Sequence, residues 1–125
     1  MIRMYRQSSQ AVYHHSVALT FTVRGQAPLL VSGDVQSAVI EHFETVDNYG
    51  LDKIRGVAVE PSQITVIVAI GPNRSVSQVA SRLKGQANQA ILRQFPDLES
   101  KLLSRGIWQR GYSAESLGTR SIAWL

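Results

Sequence analysis

The sequence contains no cysteine, and this absence excludes disulfide bonds, thiolate metal sites and cysteine nucleophiles. No apolar run approaches the roughly 20 residues that a transmembrane helix requires, and the opening MIRMYRQSSQ lacks the apolar centre of a signal peptide. We therefore expect a cytoplasmic protein that does not enter a membrane. Its 125 residues, of which 44% are hydrophobic, predict a single domain over residues 1–125 with a core of its own.

Acidic residues are scarce in the second half of the chain. Residues 1–70 carry five basic and six acidic side chains, whereas residues 71–125 carry eight basic and three acidic ones. Six of those eight are arginines, whose guanidinium groups suit bidentate contacts to phosphate. A basic region of this kind is typical of a nucleic-acid surface, and it fits an ordinary solvated surface equally well.

Hydrophobic periodicity predicts the order strand, helix, strand, strand, helix, strand. The first strand alternates between an apolar side and a mostly polar side, so one side should face a core and the other should stay open. The predicted elements are strand 12–24, a helix capped by Asp34, strands 54–60 and 63–70, a helix that opens with the capping box Ser75-Val76-Ser77-Gln78 and ends before Pro96, and strand 107–116. This order predicts an α+β, ferredoxin-like sandwich (split βαβ) with an antiparallel sheet and helices on one face. Residues 1–11 should form an N-terminal arm and residues 119–125 a tail.

Three stretches resemble the single-tyrosine (Y1, HUH) transposases of the IS200/IS605 type: VYHHSVALTFTVR, SVSQVASRLKGQANQAILRQFPDL and IWQRGYSAESLG. The similarity runs from about Val12 to Gly118, and its most specific part is the ordered series of the capping box, Arg-Leu-Lys-Gly at 82–85, Phe95-Pro96 and Trp108 with Gly111-Tyr112. The resemblance implies a small homodimer that cuts and joins single-stranded DNA next to hairpins. It also implies a divalent metal held by a His–hydrophobic–His triplet on the third strand of the core, and a nucleophilic tyrosine on a helix after the last strand.

The sequence departs from that family at both catalytic elements. Gln63 and Thr65 stand where the resemblance places the two histidines, and an amide and a hydroxyl are weak neutral ligands compared with imidazoles. After Leu117-Gly118 the sequence reads TRSIAWL, so no tyrosine follows Tyr112. We therefore expect no catalytic residues, no metal and no other cofactor, and a transposase-like protein that has lost its activity.

The remaining function expected from the resemblance is the binding of structured nucleic acid, as single-stranded or hairpin DNA or RNA. The second helix carries an amide-rich polar stripe whose donors suit phosphates and base edges, and the polar side of the first strand faces a possible groove. The predicted nucleic-acid-binding residues are Arg82, Lys84, Gln86, Gln89, Arg93, His14 and Thr20.

Two other functions stay open at this point. The dimeric fold could serve as a protein–protein interaction or regulatory module. Alternatively, a residual metal-dependent nuclease could use a site rebuilt from His14, Gln63 and Thr65, with Tyr5 as a replacement nucleophile. We interpret His15 as a partly buried core residue and His42 as a surface residue of the first helix.

Overall fold

An antiparallel sheet organises the part of the chain that the computed structural model describes, residues 2–4, 15–45, 52–71, 74–98 and 106–117. Its elements, in chain order, are β1 (Ile2–Met4), β2 (His15–Thr22), α1 (Gly33–Thr45), β3 (Asp52–Glu60), β4 (Gln63–Ile70), α2 (Val76–Gln94) and β5 (Ser113–Ser116), with short 3-10 turns at Arg24–Gln26 and Leu29–Val31. The strands lie in the order β1-β3-β4-β2-β5. If the edge strand β1 is set aside, β4 lies between β2 and β3, and α1 connects these two outer strands. This is the split βαβ arrangement of a ferredoxin-like sandwich. The predicted fold class is confirmed.

The core lies between one face of the sheet and the two helices. On β2 and in the first half of β4 the residues that face the helices are fully buried, from Leu19 and Phe21 to Ile64 and Val66, as the two-residue repeat of a strand requires. From Val66 to Ile70 every residue of β4 is buried, so this half of the strand is covered on both sides. The helices contribute a stripe each, which consists of Val35, Val39 and Phe43 on α1 and Val79, Leu83, Ala87 and Ile91 on α2. Burial of each of the larger side chains contributes roughly 1.5–3 kcal/mol, so the helix layer is fixed to that single face.

Local signals set the helix starts. Ser75 Oγ accepts from the Gln78 amide at 3.1 Å, and Gln78 Oε1 accepts from the Ser75 amide at 3.2 Å. The predicted capping box is therefore confirmed. The predicted cap of α1 is wrong by two residues, because the helix begins at Gly33 and Asp34 lies inside its first turn. A carboxylate there still interacts favourably with the helix dipole.

Two chain segments differ from the sequence-based expectation. Residues 2–4, inside the predicted arm, pair antiparallel with β3, with Arg3 opposite Val57. The last strand is shorter than predicted, because Gly111 inside the predicted range adopts a φ of 84°, which is incompatible with a continuous strand. The predicted tail, 119–125, lies outside the described residues.

No helix within those residues combines the length and the apolar character that crossing a membrane would require.

Candidate nucleic-acid interface

The side of the sheet opposite the helices presents polar groups at the predicted ligand positions. Thr20 on β2 lies directly opposite Thr65 on β4, and their hydroxyl oxygens are 2.9 Å apart in a hydrogen bond. Gln63, two residues before Thr65 and on the same side of β4, donates its Nε2 to a carboxylate oxygen of Glu60. Both positions are therefore hydrogen-bonded to neighbouring protein groups.

This donor set does not fit the divalent metal site that the resemblance implies. Where the resemblance places two imidazoles, this chain has the Thr65 hydroxyl, which is hydrogen-bonded to Thr20, and the Gln63 amide, which donates to Glu60. Across the described ranges, no group of three or more His, Cys, Asp or Glu side chains could hold an ion. His14, the remaining predicted residue of this face, lies outside those ranges, as does Tyr5.

The predicted binding residues on α2 lie on the other side of the molecule from Thr20. The helix turns Leu83 and Ile91 towards the sheet, so its polar stripe faces away from it. Arg82 and Gln86 in that stripe are half-buried, whereas the remaining two members, Gln89 and Arg93, are exposed. The structure therefore divides the predicted set between the helix layer and the open side of the sheet. Their contact with nucleic acid stays a prediction.

Lys84 is the member of the set with the most defined environment. Its ammonium donates to the carbonyl oxygens of Gln109 at 2.8 Å and Gly111 at 2.9 Å. An ammonium group has three donors, so at most one is left for a phosphate. Partial burial lowers the pKa of Lys84, and the positive charge of Arg24 lowers it further.

Lys84 belongs to a group of contacts that hold residues 106–112, which we call the anchored segment. Asn88 Oδ1 accepts from the Ile107 amide at 2.8 Å, and Arg24 donates its Nε to the Gly106 carbonyl at 3.1 Å. The backbone of the segment also bonds to the end of β2, from the Gln109 amide to the Thr22 carbonyl at 2.8 Å and from the Arg24 amide to the Ile107 carbonyl at 2.8 Å.

Trp108 fixes the middle of the anchored segment to the core. Its side chain is buried, and its ring centroid lies 6.0 Å from that of Phe21 at an interplanar angle of 50°. This tilted arrangement is favourable for two aromatic rings. The segment is thus held by the core on one side and by α2 on the other.

A cleft of about 330 Å³ lies between the anchored segment and β2. Its lining consists of Thr20, Thr22, Gln109, Arg110, Gly111, Tyr112 and Ser113. Arg110 is exposed, and Tyr112 keeps 41% of its surface accessible to solvent. Sequence reasoning assigned Tyr112 to the interior of a strand and did not single out Arg110. The available signal was the glycine between them, which interrupts the strand pattern.

Comparison with known proteins gives a family and a fold. Residues 11–125 match the model of the family described as transposase IS200 like, and no curated protein matches. A crystal structure of a putative transposase from Deinococcus radiodurans R1 superposes with a TM-score of 0.73 at 15% identity, covering 89% of this chain and 85% of that one. A REP-associated tyrosine transposase bound to a REP hairpin gives a TM-score of 0.51 at 14% identity, covering 91% of this chain and 61% of that longer one.

Proposed function

The chain belongs to the IS200-like transposase family, and from that premise we propose that it binds structured nucleic acid, as hairpins or single strands, without cutting it. The two parts of this proposal have separate support. The chemistry of the ligand positions supports the proposed loss of cleavage, and the charge distribution and one structural neighbour support the proposed binding.

The observation that carries the loss of cleavage is the hydrogen bonding of Gln63 and Thr65. Cleavage of a phosphodiester through a metal needs an ion that polarises the phosphate and stabilises its developing charge. Here the hydroxyl of Thr65 pairs with Thr20 and the amide of Gln63 pairs with Glu60. In this arrangement both side chains are hydrogen-bonded to neighbouring protein groups, which supports a strand that holds no ion.

Retained binding is supported by the distribution of charge. Residues 71–125 carry eight basic and three acidic side chains, and they include α2 and the anchored segment. The similarity to a transposase whose structure contains a REP hairpin also supports a hairpin nucleic acid as the partner. Phosphate neutralisation by several such cations suffices for binding that depends strongly on salt.

The test combines binding and cleavage on the same probes. Fluorescein-labelled hairpins with single-stranded flanks, made as DNA and as RNA, are titrated by anisotropy across a salt series. We expect the logarithm of affinity to fall by roughly 0.7–0.9 per contacted phosphate for each tenfold rise in salt. Incubation of the DNA probe with Mg²⁺ or Mn²⁺ should leave it intact on a denaturing gel.

A Gln63→His, Thr65→His double variant serves as the matched comparison for metal binding. It restores an imidazole pair on one side of β4, and calorimetry with Mn²⁺ should detect a gain of affinity over the wild type. Wild-type protein that binds Mn²⁺ as tightly as this variant would contradict the loss of the metal site, and a covalent adduct with DNA would show that cleavage survives.

A second candidate is a protein–protein module, and the edge of the sheet favours it. All four residues of β5 are exposed, and the strand pairs with β2 alone among the described strands. An exposed edge strand is a template for pairing with another chain, including a second copy of this one. Purification from the host distinguishes the candidates, because a stoichiometric protein with no nucleic-acid absorbance would favour the second.

A further inference from the structure

We propose that the cleft between β2 and the anchored segment receives one unpaired nucleotide of the bound strand, with its base against the Tyr112 ring and a phosphate near Arg110. This inference rests on the proposed function, because it assigns a place on the protein to part of the same ligand. It concerns residues that neither the metal positions nor the polar stripe of α2 include.

The size and the lining of the cleft select the ligand. A volume of about 330 Å³ suits a single small-molecule unit and is too small for a double helix. The walls combine an exposed aromatic ring at Tyr112, a guanidinium at Arg110 and the hydroxyls of Thr20 and Thr22. Stacking platforms next to a cation are the usual means by which proteins hold single strands without reading a particular sequence.

The backbone that carries these two side chains is fixed before any ligand arrives. Lys84 holds the carbonyls of Gln109 and Gly111, which are the residues on either side of Arg110. The Gln109 amide is bonded to β2 through the Thr22 carbonyl. Little ordering of the main chain is then needed on binding, and this lowers the entropic cost of capturing a base.

Lys84 therefore acts as a positioning residue for the cleft. Two of the three donors of its ammonium group bind backbone carbonyls. Asn88, one helical turn further on, accepts from the Ile107 amide. Since both side chains come from one face of α2, the helix sets the distance between the anchored segment and the sheet.

The cleft also continues the accessible end of the sheet surface opposite the helices, where Gln63 and Thr65 are half-buried. Thr20 lines the cleft and is hydrogen-bonded to Thr65 on the neighbouring strand. A single strand that lies across β4 and β2 would reach the cleft without crossing the helix layer. A duplex stem could remain outside while its unpaired flank enters.

Three probes and a set of variants test the proposal in full-length protein. The probes are a hairpin with a four-nucleotide flank, the same hairpin with an abasic flank, and a blunt hairpin, each as DNA and RNA. Tyr112→Ala should weaken binding of the flanked probe by roughly 5- to 150-fold, which corresponds to the loss of one base stack, and should leave the abasic probe unchanged. Tyr112→Phe should bind like the wild type, because it keeps the ring.

The charge test uses Arg110→Gln with Lys53→Gln as its matched control. Lys53 is exposed and lies on β3, away from the cleft lining. Arg110→Gln should reduce the slope of log affinity against log salt by about 0.7 on the flanked probe. On the blunt probe the reduction of the slope should be much smaller. Lys53→Gln should leave the preference for the flanked probe over the blunt probe unchanged.

A measurement on wild-type protein completes the design. With 5-iodouracil in the flank, photocrosslinking followed by mass spectrometry should identify the peptide that contains Tyr112. If the wild type binds flanked, abasic and blunt hairpins equally, or if Tyr112→Ala and the wild type agree on every probe, the cleft does not hold a base while the proposed function stands. If no probe binds at all, the proposed function fails first.

Discussion

Replacing Gly106 by alanine tests the anchored segment most directly. Gly106 adopts a φ of 90°, in the region that residues with a side chain rarely occupy. A Cβ built there would lie 2.8 Å from Asn88 Oδ1 and 3.2 Å from its Cγ. The same Asn88 oxygen accepts from the Ile107 amide at 2.8 Å, so the added methyl group and the hydrogen bond compete for one position.

Both effects destabilise the folded protein. A non-glycine residue held at such a φ costs about 1–3 kcal/mol. Displacement of the Asn88 side chain leaves the Ile107 amide without its partner, which costs about 1–3 kcal/mol for a buried group. We therefore expect Gly106→Ala to lower the free energy of unfolding by roughly 2–6 kcal/mol, which corresponds to a fall in Tm of roughly 8–24 °C for a domain of this size.

Urea unfolding followed by circular dichroism measures the change, with Gly85→Ala as the matched control. Gly85 lies inside α2, and a Cβ at that position would meet nothing within 4 Å. The same substitution should there raise the free energy of unfolding by about 0.5–1 kcal/mol, because alanine restricts the unfolded chain and favours a helix.

A double-mutant cycle separates the two causes. In an Asn88→Ala background the methyl group of Gly106→Ala has no oxygen to displace, so the combined loss should be smaller than the sum of the single losses. Additive losses would show that the two residues do not compete. A change of less than about 0.5 kcal/mol for Gly106→Ala alone, within the range of ordinary surface substitutions, would refute the described geometry altogether.

Two further predictions concern a lysine and a histidine that the helices carry. Lys84→Met should lower the free energy of unfolding by roughly 1.5–3 kcal/mol, because the half-buried ammonium loses its bonds to the carbonyls of Gln109 and Gly111; an unchanged urea midpoint would contradict this role. His42 is half-buried and not the surface residue that the sequence indicated. Burial lowers its pKa from the usual 6.5, so the unfolded chain binds a proton more readily and stability should fall as pH drops below about 6.5. His42→Gln should reduce the difference between urea midpoints at about pH 7.5 and about pH 5; an equal difference in both proteins would oppose this assignment.

The sequence predicts those parts of the fold that local patterns determine. Strand β4 has the bounds that were predicted for it, Gln63–Ile70, because its period-two pattern ends at a turn on one side and at Gly71 on the other. The start of α2 follows from the capping box. Strand β1 has only three residues and exists through its pairing with β3, so no local pattern could indicate it.

The anchored segment shows a different limit of sequence reasoning. The run IWQRGYSAES predicts one strand, yet only Ser113–Ser116 belongs to β5. Glycine permits positive and negative φ alike, and the carbonyl groups of Gly106 and Gly111 accept from Arg24 and Lys84, which lie far away in the chain. Lys84 is 25 residues from the Gln109 carbonyl that it binds.

For the candidate site, the sequence indicated which residues stand at the ligand positions, and the structure showed which groups they are hydrogen-bonded to. The resemblance identified Gln63 and Thr65 as the ligand positions, but the Thr20–Thr65 bond depends on strand register. The cleft could not be predicted without knowing the path of the anchored segment. For that reason the sequence did not assign Arg110 and Tyr112 to a site. The prediction for His14 stays untested, because that residue lies outside the described part of the chain.

The contacts that hold the anchored segment and the side chains that it presents belong to different residues. Arg24, Lys84 and Asn88 bind main-chain atoms, and main-chain atoms are the same whichever amino acids occupy positions 110 and 112. Mutation of those two codons therefore alters the chemistry of the cleft and leaves the course of the loop intact. Gene copies that diverge can acquire new preferences in this way without first acquiring a new scaffold, and an engineer who wishes to retarget the protein can randomise the same two positions.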